Sequence, residues 1–249
     1  MENENVPEGL VSSFAELYKR YPHIAIGEHH SSRRLHILVS KLITSLIKKG
    51  LKSVCLEIHS DLQEVINHYI QTGEESFLAY LTSDNQRLIE QGYPFTGRGD
   101  NYFDILRLVR GCREQYSEVN IVALKKNIQN VPENDINMAE LDKFMAERIP
   151  DSGPTLVYAG EMHLRKDFAI PKFKAGIYSI ATIPNPFTTN EEHNPGIDDI
   201  IRRLMDLGEI PKESSLIDFH TKRGASLGKL LKRNHFKYSD WFDGLLVYA

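Results

Sequence analysis

The chain has 249 residues, is 41% hydrophobic and 26% charged, and carries a formal net charge of -4. This is ordinary globular composition, long enough to bury a sizeable core. A pI of about 6.2 and the lack of a basic stripe with interleaved aromatics argue against a nucleic-acid partner.

Met1 to Leu10 is polar and acidic, with no basic n-region and no apolar h-region, so the expectation is a cytoplasmic protein. No apolar run approaches the ~20 residues that span a membrane. Phe14 to Tyr21 reads as a short helix ended by Pro22. Ile24-Ala25-Ile26, bounded by Gly27, reads as a buried strand. Ser31-Ser32 offer a helix cap, and Leu35, Leu38, Val39, Leu42, Ile43, Leu46 and Ile47 follow at helical spacing up to Gly50. Ser53 to Ile58 is a second buried strand, which completes the strand–helix–strand unit of a parallel sheet. It contains Cys55, which with Cys112 makes two cysteines, too few for a disulfide framework and without CxxC spacing.

Ser60-Asp61 can cap a helix running through Ile70, and Glu74 to Gln91 is a second helical patch. Gly92 to Gly99 is a loop whose Gly97-Arg98-Gly99 lacks the spacing and the preceding strand of a phosphate-binding turn. Tyr102 to Tyr116 is an amphipathic helix, Val119 to Leu124 a strand, Asn134 to Ile149 a helix, Thr155 to Ala159 a strand, and Gly176 to Ile183 another. Pro184 to Pro211 is rich in Pro, Asn, Asp and Glu around one short helix, Ile197 to Leu207. Asp243 to Tyr248 closes the chain as a strand. The pattern predicts an α/β fold: a largely parallel sheet with helices on both faces. It reads as a single domain over 1–249, with a helical insertion at about 60–116 and a lid at about 184–211.

In such sheets, sites form beyond the carboxyl ends of the strands. Three polar clusters fall there: Gly27-Glu28-His29-His30, Glu57-Ile58-His59 and Gly160-Glu161-Met162-His163. Gly27 and Gly160 are read as sharp turns at the strand tips. A carboxylate beside an imidazole fixes its tautomer and supports its charge, and two such pairs can activate water and assist a leaving group. Glu28, His30, Glu57 and His163 are therefore the candidate catalytic residues. His29, His36, His59, Asp135 and Glu161 stand in supporting roles. The four leading residues are also the candidate ligands for a divalent metal such as zinc, manganese or cobalt. Asp135 is equally a helix cap. There is no Gly-x-Ser-x-Gly elbow, and helix capping accounts for Ser31 and Ser32.

The ordered clusters resemble the superfamily of ChaN-like haem-binding proteins, TIKI/TraB-type proteases and erythromycin esterases. Gly27-Glu28-His29-His30, His36, Leu56-Glu57 and Gln63, with Gly92-Tyr93-Pro94-Phe95 and Tyr102 to Leu106, resemble the ChaN-like branch. Gly160 to His163 resembles a shared Gly-x-x-His, and Phe242-Asp243-Gly244-Leu245 is similar to the closing strand of the esterases. Asp135-Ile136-Asn137-Met138-Ala139 is similar to their Arg-Asp-x-x-Met-Ala, with Asn134 where Arg is usual.

The resemblance implies a Glu/His site on a parallel sheet. Its leading expectation is hydrolysis of an ester or amide bond in a small-molecule or peptide substrate. His30 would be the base, Glu28 its partner, Glu57 a second acid/base group and His163 the oxyanion stabiliser or proton donor. The alternative it implies is haem binding without enzymatic activity, with His29, His30 or Tyr102 as axial ligand. A third reading is a polar network with no chemistry of its own.

Overall fold

The computed structural model describes residues 6–29, 32–78, 99–113, 115–116, 119–127, 136–184, 186, 195–233 and 236–248. In chain order the elements are α1 (Glu8–Tyr18), β1 (His23–Glu28), α2 (Arg33–Ile47), β2 (Ser53–His59), α3 (Gln63–Thr72) and α4 (Gly99–Arg113). They continue with β3 (Asn120–Lys125), α5 (Met138–Arg148), β4 (Thr155–Gly160), a 3-10 turn (Glu161–Leu164), α6 (Ile170–Phe173) and β5 (Ile177–Pro184). Then follow α7 (Pro195–Asp206), β6 (Ser215–Asp218), α8 (Lys222–Leu230), a small hairpin of β7 (Lys232–Arg233) and β8 (Phe236–Lys237), α9 (Tyr238–Trp241) and β9 (Gly244–Tyr248).

Seven strands make one sheet in the order β3-β2-β4-β1-β5-β9-β6. Every pairing is parallel except that of β6 with β9. The α/β architecture expected from the alternating pattern is the one present. Alternation along the strands divides the core in two. Ile24, Ile26, Val54, Leu56, Leu156 and Tyr158 face a layer built from α1 to α4. Ala25, Cys55, Val157 and Ala159 face a layer built from α5, α6, α7 and α8. The central strands β1, β4, β5 and β9 are buried on both faces, which is why they read as short continuous apolar runs. Cys55 and Cys112 are both free and buried.

Element by element, the sequence and structure differ in instructive places. The first helix starts at Glu8 rather than Phe14, since Leu10 and Val11 also reach the core. Ser32 caps α2, accepting a hydrogen bond from Leu35 N at 3.2 Å. Ser60 and Asp61 do not cap α3; they form a 3-10 turn, and the residue before α3 makes no side-chain cap bond. Asn137 caps α5, accepting from the N–H groups of Ala139 and Glu140. The helix in the Pro-rich stretch, α7, buries Ile197, Ile201, Leu204 and Met205 in the second core. The short edge strand β6 and the helix α8 were not anticipated. Most of the patch Glu74 to Gln91 and of the loop Gly92 to Gly99 lies outside the described residues. No helix among the described residues is long and apolar enough to cross a membrane.

Ser32→Ala removes the acceptor for the first turn of α2 and is expected to cost about 1 kcal/mol, measured as a lowered urea midpoint with an unchanged slope.

Candidate functional site

The sheet reverses its winding between β1 and β4. From β1 the chain leaves toward the first layer, where α2 packs, and from β4 it leaves toward the second, where Leu164 and Ile170 pack. Adjacent strands whose connections diverge open a crevice at their carboxyl ends. Glu28 ends β1, Glu57 lies near the end of β2, and His163 lies in the turn after β4, so neighbouring strands bring the three clusters to one edge.

Glu28 continues the parity of Ile24 and Ile26 and lies on the α2 side, 2% exposed. Tyr102, from α4, donates its hydroxyl to Glu28 Oε2. His36, one turn into α2, places Nε2 3.5 Å from Glu28 Oε1. Its Nδ1 shares a 2.9 Å hydrogen bond with the Tyr158 hydroxyl. The rings of His36, Tyr102 and Tyr158 meet edge to face, a preferred geometry for aromatic pairs. Burial pushes the Tyr102 phenol well above its ordinary pKa, and the fields of Glu28 and Glu57 push it the same way. Tyr102 is thus held as a neutral proton donor, in contact with Glu28 and within the field of Glu57.

Glu57 shares the parity of Cys55 and turns to the other side. Its Oε2 accepts from Gly160 N at 2.8 Å. Its Oε1 lies 3.4 Å from Lys125 Nζ and 3.8 Å from His163 Nε2. The other ring nitrogen of His163, Nδ1, is bonded to Asp142 Oδ1 at 2.6 Å. Asp142 is on α5 and is 2% exposed. Burial works against a charged His163 ring. The hydrogen bond to Asp142 and the charges of Glu57 and Asp142 outweigh it, against some opposition from Lys125, and raise the pKa above 6.5.

The remaining candidates divide. His29 Nε2 is 3.0 Å from Thr182 O and 3.3 Å from Glu161 Oε2, so these two form a third, more exposed pair. His59 is buried at the end of β2, opposite Lys125 in the register. His30 and Asp135 lie outside the described residues. The tip glycines do not act as sharp turns. Neither has a positive φ, and Gly160 sits at φ -49°. Gly27 is instead a close-approach position. A Cβ there would stand 3.2 Å from Glu161 Cβ and Cγ and from Ile180 O.

Three members were missed: Asp142, Lys125 and Tyr158. For Asp142 a signal existed, since it lies three and four residues before the buried Met145 and Ala146 and so shares the apolar face of its helix. Among the described residues, no three His, Cys, Asp or Glu side chains converge as metal ligands would. The Lys125 ammonium beside Glu57 Oε1 and the Tyr102 hydroxyl on Glu28 Oε2 lie where a cation would need those oxygens.

No family model matches the chain, and no curated protein matches it. Solved structures do share its fold. A protein of Bacillus cereus overlays with a TM-score of 0.66 at 12% identity, covering 99% of this chain and 93% of its own. A succinoglycan biosynthesis protein gives 0.66 at 11%, covering 96% and 90%. The haem-binding ChaN of Campylobacter jejuni overlays less well, with a TM-score of 0.47 at 15% identity over 73% of this chain and 87% of its own, too low to show a shared fold.

Two outcomes are expected. Tyr102→Phe strips a buried carboxylate of its donor and should cost about 1–3 kcal/mol in urea denaturation. Asp142→Asn should lower the His163 pKa, followed by NMR titration of its ring protons. A folded-state pKa raised above the unfolded value adds stability in full below about 6.5 and loses it as pH rises through the folded value. The wild-type advantage in urea midpoint over Asp142→Asn should therefore be larger at pH 6 than at pH 9.

Proposed function

We propose that the chain hydrolyses an ester or amide bond in a small-molecule or peptide substrate at the carboxyl ends of β1, β2 and β4. The observation that carries this reading is the clamp on His163. One nitrogen is bonded to a buried carboxylate, and the other lies near Glu57. A histidine whose charged form is favoured in this way is suited to donate a proton.

In the proposed reaction, His30 takes a proton from water, supported by Glu28. The hydroxide adds to the substrate carbonyl carbon, and negative charge builds on the carbonyl oxygen. His163, whose second nitrogen faces Glu57, stabilises that charge and then protonates the departing oxygen or nitrogen as the carbon–heteroatom bond breaks. Neutral His163 and charged His30 exchange protons with solvent to restore the starting state. Glu57 holds the donor nitrogen in direction, and Lys125 limits how negative this corner becomes. Tyr102, neutral and bonded to Glu28, fixes that carboxylate in its rotamer.

The test is turnover of a panel of p-nitrophenyl esters and amino-acid p-nitroanilides. His30→Ala and His163→Ala should each lower kcat/KM by about 100-fold or more with unchanged far-UV circular dichroism. Near-normal rates in both variants, or no turnover of any substrate by the wild type, would overturn the reading.

A further inference from the structure

The two edges of the sheet are treated differently. At one edge, β3 is covered. Gln63 of α3 takes the Ala123 N–H on its Oε1 at 2.8 Å and donates to Ile121 O at 2.9 Å, while Arg148 donates to Ala123 O. A side-chain amide thus stands in for a neighbouring strand.

At the other edge, among the described residues, β6 pairs with β9 alone. In an antiparallel pair, alternate residues turn their N–H and C=O groups away from the partner, so β6 presents peptide groups outward. Outside it is a cavity of about 540 Å³, lined wholly by described residues. One wall is the start of α1, including Pro7, Glu8 and Leu10; another is α8, including Gly224 and Leu227; the floor is Ser215 to Asp218. Leu10 belongs to the first core and Leu227 to the second, so these walls come from opposite faces of the sheet. A hollow touching both faces and β6 lies at the open edge of the strand. The Ser215 hydroxyl, buried in this floor, has no hydrogen-bond partner among the described residues.

Charge states what would fill it. Glu8, Glu209, Glu213 and Asp218 line the groove with Arg223 as their counter-charge. Arg223 is taken by Glu209 and Asp218 by Arg20, while Glu8 and Glu213 form no ion pair among the described residues. We propose that this groove binds an extended peptide segment bearing basic side chains, which adds to β6 as a further strand. Main-chain hydrogen bonds to β6 would supply affinity, and Glu8 and Glu213 the preference for lysine or arginine. The site is separate from the Glu/His crevice and does not depend on its chemistry.

The probe is a fluorescein-labelled heptapeptide of alternating lysine and valine, followed by anisotropy on the full chain. It should bind saturably and slow amide exchange at residues 215–218. A glutamate-for-lysine peptide, or the lysine peptide with alternate amides N-methylated, should bind at least about tenfold more weakly. So should the double variant Glu8→Lys/Glu213→Lys, whose exposed side chains leave the fold intact. No saturable binding, or binding indifferent to N-methylation, would overturn the proposal. Self-association of the peptide-free protein with the same protection at β6 would also overturn it, assigning the edge to a second copy of this chain.

Discussion

A histidine clamped between two carboxylates is the interaction on which the crevice depends. Burial alone disfavours a charged His163 ring. Asp142 on one nitrogen and Glu57 near the other reverse that preference, and each carboxylate comes from a different element. The clamp therefore ties α5 to the turn after β4 and to β2. It also needs Gly160, whose N–H holds Glu57 in place. A buried carboxylate is tolerated when its oxygens are bonded, and each oxygen of Glu57 has a nearby donor or cation.

Across the crevice, Glu28 follows the same rule with different partners. A neutral phenol and a histidine on the helix after β1 surround it. The two carboxylates reach the crevice from opposite faces of the sheet because their parities along β1 and β2 differ. One is paired with a phenol and a histidine, the other with a backbone N–H, a lysine and a histidine.

Much of this was legible in the residues, and the rest was hidden for physical reasons. Buried parallel strands announce themselves as short apolar runs, and the polar residue closing each run marks the carboxyl end, which is how Glu28, Glu57 and His163 stood out. Asp142 was hidden among the charged residues of an amphipathic helix, visible by its phase rather than its type. Tyr102 enters the sequence reading through the haem alternative, beside His29 and His30, and nothing in its residue type signals that its buried phenol donates to Glu28. Glycine permits the sharp turns expected at Gly27 and Gly160, yet neither has a positive φ. Gly27 instead makes room for Glu161, a constraint that no local pattern encodes. The edge strand β6 has four residues, with Leu216 and Ile217 on opposite sides, and its existence depends on a partner far along the chain.

Whether residues from separate strand ends act as one centre is tested most directly by a double-mutant cycle between Glu28→Gln and His163→Ala. The readout is kcat/KM on the p-nitrophenyl ester that the wild type cleaves fastest. Groups serving one reaction lose their effect together, so the double variant should be little worse than the more damaged single variant. Losses that multiply, as for two independent positions, would contradict a shared centre at the edge of β1, β2 and β4.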